Sequence, residues 1–371
     1  MDERREELDI SRVALAAEVA ILCVIARSLR GVDADTGYDD AAKWQVAGMA
    51  DISAIAATLS SMLGKRADAL FGAGADATDS WSKAMFEASG RAFQSVMGNP
   101  FSKQSVVSGR SKARKDVDGM CRTSVMAVVS HDGKVTPIAQ AYGDCLNRAV
   151  GAVRSGVSAY GEEYDRMVRR LSSGGVKVMY ESGATRELYS AVSMNVMDNY
   201  RMTMQEARNE VGRAFGADGV EVSAHGMCAE DHAPYQGRQF SNAEFARIQG
   251  SLERPIAMGY NCRHQTFPVI LGVSKQANSQ EQLRKYREQS SRKVDVNGTE
   301  MTAYEFTQRQ RRMETSVRKL KAERRVLAEA GSDTSGIDST IDEMVKRYRA
   351  ESKAAGVETR EERMSAYEWK G

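Results

Sequence analysis

The sequence predicts a mainly α protein with a small α+β unit at its centre. Only five prolines occur in 371 residues, and 31 glycines separate long stretches rich in the helix-favouring residues Ala, Met, Glu and Arg. Apolar residues recur at helical spacing in several segments, whereas the alternating runs typical of strands are short. We predict a helical N-terminal region (residues 1–172), a central α+β unit with a cluster of His and Cys residues (173–276) and a charged helical hairpin arm (277–371). No internal repeat is evident in the sequence.

The N-terminal region is predicted to begin with helices that face a common core. Apolar residues recur at helical spacing over residues 10–30 and again over 43–65. The Gly72-Ala73-Gly74 run is expected to break the second helix, and a new helix capped by Asp79 and Ser80 is expected to reach about residue 97. Asn99-Pro100 would end that helix.

Two further segments complete this region. Ser102–Arg122 is rich in Ser, Gly and basic residues, which predicts an exposed basic loop or a short surface helix. A solvating role for this segment is favoured over a contact with nucleic acid. One helix is predicted from Ile138 to Leu171.

Composition and charge argue against several classes of protein. The 52 basic and 50 acidic residues nearly cancel, so no net field draws the whole chain to nucleic acid or to an anionic membrane. The most apolar segment, residues 13–26, includes Glu18 and is shorter than the roughly 20 residues of a spanning helix, which predicts a buried helix and no membrane span. The first residues lack the basic start of a secretory signal, so we expect a cytoplasmic chain with reduced cysteines.

The central unit is predicted to combine two short strands with one long helix. Residues 176–180 alternate between apolar and polar positions, as in a half-buried strand. A helix is expected from about Gly183 to Phe215, and Val220-Glu221-Val222 is predicted to be a second strand. That strand leads into Ser223-Ala224-His225.

The arm is predicted to be an αα-hairpin that binds a helical partner. Its first helix carries a narrow apolar seam spaced 7, 4, 3 and 7 residues apart: Phe306, Met313, Val317, Leu320 and Leu327. A linker over 331–336 precedes a second helix that bears Ile337, Ile341, Met344, Val345 and Tyr348. Between residues 309 and 325, eight basic residues and two acidic ones give a local net charge of +6: Arg309, Arg311, Arg312, Arg318, Lys319, Lys321, Arg324 and Arg325 against Glu314 and Glu323. This face could contact DNA phosphates without reading sequence, or serve only as the solvated flank of a coiled coil.

The strongest chemical signal is a cluster of His and Cys between residues 225 and 264. Cys228-x3-His232 and Cys262-x-His264 form two pairs of ligands at short spacing, the arrangement in which two turns hold a tetrahedral structural zinc ion. His225 is a fifth candidate for four positions, so we expect one of the five not to be a direct ligand. A metal-free cluster of hydrogen-bonded imidazoles and buried thiols fits the same pattern.

No catalytic residue can be assigned from sequence motifs. The chain contains no His-Glu-x-x-His, no phosphate-binding Gly-x-x-x-x-Gly-Lys-Ser/Thr, no dinucleotide fingerprint and no Gly-x-Ser-x-Gly. A catalytic zinc would need an open site and a nearby base such as Glu230 or Asp231. We therefore predict that the protein is not an enzyme and has no small-molecule substrate.

Three blocks of the central unit occur in a fixed order. They are Val-Ser-Ala-His (222–225), His-Ala-Pro-Tyr-Gln-Gly-Arg-Gln-Phe-Ser (232–241) and Gly-Tyr-Asn-Cys-Arg-His (259–264). Together they resemble the central signature of the minor capsid protein family (type 2) of tailed bacteriophages. Residues 307–321 and the closing Arg-Glu-Glu-Arg are similar to that family's C-terminal helices, so the resemblance covers about Gly174 to the end.

The resemblance also bears on the His/Cys cluster. The related phage Mu F-like head morphogenesis proteins carry cysteines where this chain has His232 and His264, an exchange that a zinc site accepts. The chain departs from the family pattern at two positions. Tyr235 stands where the family usually has Trp, and Cys228 is not a residue expected at its position.

The resemblance implies a structural protein of the phage head. It implies a low-copy component associated with the portal vertex or the capsid interior that acts in head assembly or in DNA packaging and ejection. The expected partners are portal and/or major capsid proteins, with non-specific contact to packaged DNA. The expected location is the virion head, and the host cytoplasm during assembly. The alternative is a metal-dependent hydrolase or nuclease carried in the head, built on the same His/Cys cluster.

Overall fold

A computed structural model describes residues 3–130, 132–155, 160–257, 262–365 and 369. The helices in these ranges are α1 (Glu3–Arg30), α2 (Tyr38–Ser89), α3 (Pro100–Met120), α4 (Ile138–Arg154), α5 (Tyr160–Gly174), α6 (Leu188–Phe215), α7 (Asn242–Ser251), α8 (Gln280–Ser291), α9 (Ala303–Ala330) and α10 (Ser335–Ala355), with 3₁₀ turns at Thr123–Val125 and Glu361–Met364. The strands are β1 (Met126–Val129), β2 (Val135–Pro137), β3 (Val176–Met179), β4 (Thr185–Glu187), β5 (Gly219–Val222), β6 (Gln239–Ser241), β7 (Thr266–Val269), β8 (Lys293–Val296) and β9 (Thr299–Thr302). The predicted mainly α fold with small β elements is confirmed.

Helix α1 forms the centre of the helical core. Its apolar residues surround the helix instead of occupying one stripe, and nearly all side chains over residues 10–29 are buried. It packs against α2, α6 and α9. The segment 13–26 is therefore the buried helix that its length and composition predict.

Helix α2 is continuous over 52 residues, about 78 Å at 1.5 Å per residue. The predicted break at Gly72-Ala73-Gly74 and the predicted separate helix reaching residue 97 were wrong. Gly74 lies against α6, where a Cβ would come within 2.6 Å of Met204 Sδ and 2.7 Å of the Tyr200 ring. This glycine permits close helix packing, and the helix ends instead before Gly90, whose φ of 67° favours glycine.

One stretch of α2 also has the length and apolar composition of a membrane-spanning helix. No other helix in the described ranges meets this criterion. Core helices of soluble proteins meet it too. This stretch alone does not show a membrane span.

Asn99-Pro100 begins a helix instead of ending one. The Asn99 side chain accepts hydrogen bonds from the backbone N–H groups of Phe101 and Ser102, and proline occupies the first helical position. Of the two alternatives predicted for the basic segment, a loop or a short surface helix, the structure has the helix, which is α3 with 21 residues and packs its apolar side on α2 and α6. The single helix predicted over 138–171 is two helices, α4 and α5, and residues 156–159 between them lie outside the described ranges.

Among the described residues, a hairpin followed at once by a helix occurs three times, as β1–β2–α4, β3–β4–α6 and β8–β9–α9. The first two hairpins have matching hydrogen bonds at their turns, where Gly133 and Gly183 have φ of 86° and 81°. They join through β1 and β3 into one antiparallel sheet of order β2-β1-β3-β4. The hairpin-helix units share few identical residues, so this recurrence of topology is not an internal repeat of the sequence.

The C-terminal αα-hairpin is present but does not project from the molecule. α9 packs against α1 and α5 as well as against its hairpin partner α10. In the seam, Val317 and Leu327 are fully buried, and the half-buried Met313 and Leu320 pack on the main core. The helical partner predicted for this seam is therefore supplied by the same chain. Residues of all three predicted regions share one core, and the boundaries at 172 and 276 stay predictions.

Candidate metal-binding site

The pairing of two strands brings the two halves of the His/Cys cluster together. β5 pairs antiparallel with both β6 and β7, and Val222 at the end of β5 lies opposite Thr266 at the start of β7. The loop that follows β5 carries His225, Cys228 and His232, and the segment that precedes β7 carries Cys262 and His264. Both therefore leave the same end of the sheet. Backbone and hydroxyl hydrogen bonds between Ser223 and Gln265 join them there, at 2.8 and 2.9 Å.

Three side chains of the cluster converge. Cys262 Sγ lies 3.4 Å from His232 Nδ1 and 3.5 Å from His264 Nδ1. The ligand atoms of these three residues all lie within 4.8 Å of one another, and His232 and His264 are buried. Among the described residues, no further His, Cys, Asp or Glu joins this group. The predicted cluster is thus present, with three of its five candidates facing one point.

Cys228 and His225 lie next to this group but on the outer side of His264. Cys228 is buried, and its Sγ lies 3.5 Å from His264 Nε2, the ring nitrogen that faces away from Cys262. The His225 ring stacks on the His264 ring with centroids 4.6 Å apart, and His225 Nδ1 lies 3.0 Å from the Gly226 carbonyl. Both residues support His264.

Hydrogen bonds to backbone groups outside the cluster orient His232 and Cys262. His232 Nε2 lies 2.7 Å from the Arg254 carbonyl oxygen, which can only accept, so this nitrogen carries a proton. The Ala257 N–H donates to Cys262 Sγ at 3.4 Å from a left-handed backbone with φ of 61°. The sequence motifs signalled neither Arg254 nor Ala257, because both act through the backbone and any residue type provides these atoms.

Burial sets the charge state of the site. It lowers the pKa of His264 to about 3, and the neighbouring imidazoles of His225 and His232 act in the same direction. It also raises the pKa of the Cys228 thiol to about 12, with a further contribution from Cys262. His264 is therefore a neutral imidazole, the form that binds metals, and Cys228 is a thiol.

The converging group faces a cleft of about 750 Å³. The cleft is lined on one side by His225, His232, Cys262 and His264, and on the other by residues of the C-terminal segment that include Tyr286, Arg292, Tyr304, Arg311 and Arg360. Arg292 donates to the carbonyl groups of Ala355 and Gly356 and so holds the end of α10. The cleft gives the site access to solvent and to ligands from outside.

The eight basic residues predicted to contact DNA are distributed around α9. Arg318 is buried and donates to the Arg363 carbonyl, and Arg309 forms an ion pair at 2.7 Å with buried Glu351. Lys319 pairs with Glu187, and Arg324 pairs with Asp338. Arg311 and Lys321 are half-buried, and Arg312 and Arg325 are exposed. Contact between this helix and DNA stays a prediction, with fewer accessible side chains than the sequence count implied.

The comparison with protein families accounts for nearly the whole chain. The family model for phage minor capsid protein 2 matches residues 8–367. The chain belongs to the phage minor capsid protein 2 family. No curated protein and no solved structure matches it significantly.

Membership in the phage minor capsid protein 2 family places the protein in the virion or head and among other phage head proteins. The match extends the resemblance beyond the segment from Gly174 to the end, because it includes nearly all of the N-terminal helices. Of the three signature blocks, 222–225 and 232–241 surround β5 and β6, and residues 259–261 of the third lie outside the described ranges. Tyr235, at the position where the family usually has Trp, packs in a small cluster with Val222 and Phe240.

Proposed function

We propose that this member of the phage minor capsid protein 2 family is a low-copy structural component of the head that acts in head assembly or in DNA packaging and ejection. Its partners in this proposal are the portal protein and the major capsid protein. The match over residues 8–367 carries the proposal, because it includes all the described helices that form the core. Assembly in the host cytoplasm is part of the same proposal.

A candidate docking surface lies between the end of α2 and the start of α3. Phe93, Met97 and Phe101 occur within nine residues of chain and expose 42%, 45% and 67% of their surface. Large apolar side chains that remain exposed in one short stretch are typical of surfaces that bind another protein. Phe93 also contacts buried Phe86 edge-to-face, with ring centroids 5.6 Å apart, so Met97 and Phe101 are the more accessible of the three. They support contact with another head protein.

The surroundings of the His/Cys group support a structural role over a catalytic one. Of the two acidic residues that could act as a base, Asp231 accepts two hydrogen bonds from Arg254, at 2.6 and 3.0 Å. Glu230 is exposed. A general base must reach the proton that it removes, and the hydrogen bonds from Arg254 hold the Asp231 carboxylate against the guanidinium instead.

The test is quantitative peptide mass spectrometry of gradient-purified virions, with this chain measured against the portal and major capsid proteins. We expect recovery at a constant, low copy number. A phage that encodes Phe101→Asp should lose the chain from its virions, whereas Val46→Asp, at a 73% exposed position elsewhere on α2, should retain it. Absence of the wild-type chain from virions would refute the proposal, and loss in both variants would remove the docking surface from it.

A further inference from the structure

Two distances within the converging group match the sulfur-to-nitrogen distance across a zinc ion. Zinc binds imidazole nitrogen at about 2.0–2.1 Å and thiolate sulfur at about 2.3 Å, so a tetrahedral angle places these two atoms about 3.6 Å apart. Cys262 Sγ lies 3.4 and 3.5 Å from the Nδ1 atoms of His232 and His264. We propose that His232 Nδ1, Cys262 Sγ and His264 Nδ1 hold one zinc ion.

The outer contacts present the correct nitrogen of each histidine. His232 donates from Nε2 to the Arg254 carbonyl, which leaves its Nδ1 with a free electron pair directed at Cys262. His264 turns Nε2 toward Cys228 Sγ at 3.5 Å and Nδ1 toward Cys262. Ligating histidines in metal sites are oriented by such acceptors on their second nitrogen. This arrangement makes Cys228 a supporting residue and not a ligand.

The backbone around Cys262 also directs a hydrogen-bond donor at its sulfur. Ala257 directs its N–H at Cys262 Sγ from a left-handed conformation that non-glycine residues rarely adopt. A hydrogen bond from an amide stabilises negative charge on sulfur. The mixed pair of imidazoles and one thiolate suits zinc better than the oxygen-preferring Mg²⁺ or Ca²⁺.

A zinc ion would also compensate for a small hydrophobic core. The hydrophobic cluster of the β5–β6–β7 unit is built on buried Val222, Phe240 and Ile256, and Val269 of β7 is also buried. A unit with so few buried apolar residues commonly depends on a metal or a disulfide for its stability. The zinc ion would connect the loop after β5 to the segment before β7, which the small sheet otherwise joins only at its end.

The alternative is a metal-free chain of hydrogen bonds from Cys228 through His264 and Cys262 to His232. This chain uses the same distances, and in it both cysteines act only as hydrogen-bond partners of histidine rings. The two arrangements therefore differ in metal content and in the effect of the two cysteines.

The experiment measures zinc in the full chain, expressed with zinc in the medium and dialysed against a mild chelator. We expect about one zinc per chain in the wild type, at least a tenfold loss in Cys262→Ser, and retention in the matched variant Cys228→Ser. Zinc-edge X-ray absorption of the wild type should show one sulfur neighbour and the remainder nitrogen or oxygen. This spectrum decides the question even if Cys262→Ser does not fold.

Three results would overturn the proposal. They are wild-type protein without zinc, equal zinc loss in the two cysteine variants, or two sulfur neighbours in the absorption spectrum. None of them bears on whether the chain is found in virions, so this proposal and the proposed function stand or fall separately.

Discussion

Replacing buried Glu18 in α1 should change how the stability of the protein depends on pH. Glu18 is 3% exposed, and burial raises its pKa from 4.5 to about 8 even though the backbone N–H groups of Tyr189 and Val176 donate to its carboxyl. The nearby Glu187 carboxylate adds to the rise, and Lys177 opposes it. Lys319 does not neutralise Glu18, since it pairs with Glu187 at 2.7 Å.

Whether stability rises or falls with pH depends on whether the folded or the unfolded chain binds the Glu18 proton more tightly. Below pH 4.5 the carboxyl is protonated in both the folded and the unfolded chain. Between pH 4.5 and about 8 the unfolded chain releases the proton while the folded chain keeps it, so the contribution of Glu18 to stability is lost as pH rises. Each unit of that interval corresponds to about 1.4 kcal/mol, which gives an upper limit of about 5 kcal/mol.

The variant Glu18→Gln has no proton to release, so its stability relative to the wild type should rise between pH 5 and pH 8 by about 2–4 kcal/mol. Urea unfolding of both proteins, followed by circular dichroism across this range, measures the difference. Any constant cost of placing the glutamine amide beside two N–H groups cancels, because only the change with pH is compared. Glu162→Gln, at an exposed position on α5, controls for loss of a carboxylate.

Two outcomes would contradict this reasoning. A constant difference across the pH range would mean that Glu18 has the same pKa in the folded and unfolded chain. A difference that moves the opposite way, with the wild type gaining as pH rises, would mean that the two N–H donors outweigh burial.

Two further predictions concern packing and thiol reactivity. Gly109→Ala should destabilise the fold by about 1–3 kcal/mol, because a Cβ at this position would overlap Thr203 across the α3–α6 contact. The matched variant Gly72→Ala has open space around the new Cβ and should stabilise α2 by about 0.5–1 kcal/mol. Urea unfolding measures both changes, and equal effects of the two substitutions would contradict this packing. Burial raises the pKa of the Cys121 and Cys145 thiols to about 12, so both should react with a disulfide reagent at pH 8 only after unfolding, and rapid labelling of either in the native protein would show that it is accessible.

Local patterns in the sequence predicted the elements whose signals lie within a few residues. The apolar run over 13–26 predicted a buried helix because it is too short to span a membrane and too apolar to lie at the surface. The strand at 220–222 and the αα-hairpin were predicted from periodicity and turn residues, which are also local signals. The signature blocks also identified the family, since they depend on residue order alone.

Glycine and proline misled the prediction where their role depends on a distant neighbour. Gly74 resembles a helix break in sequence, but Tyr200 and Met204, more than 120 positions away, make it a packing contact. Asn99-Pro100 resembles a stop but caps the start of α3, because the same residues serve both ends of helices. The seam of α9 was assigned to another protein because sequence does not reveal that α1 and α5 cover it.

For the His/Cys cluster, too, the sequence predicted one part and the tertiary structure decided another. Its residue types and short spacing determined that a metal-binding group was a reasonable hypothesis, because imidazole and thiolate are strong zinc ligands wherever they meet. Only the tertiary structure decided which members meet. The antiparallel pairing of β5 with β7 brings Cys262 to His232, and the orientation of one ring places Cys228 on the far side of His264. Strand pairing and ring orientation depend on contacts between residues far apart in the chain, so no local pattern specifies them.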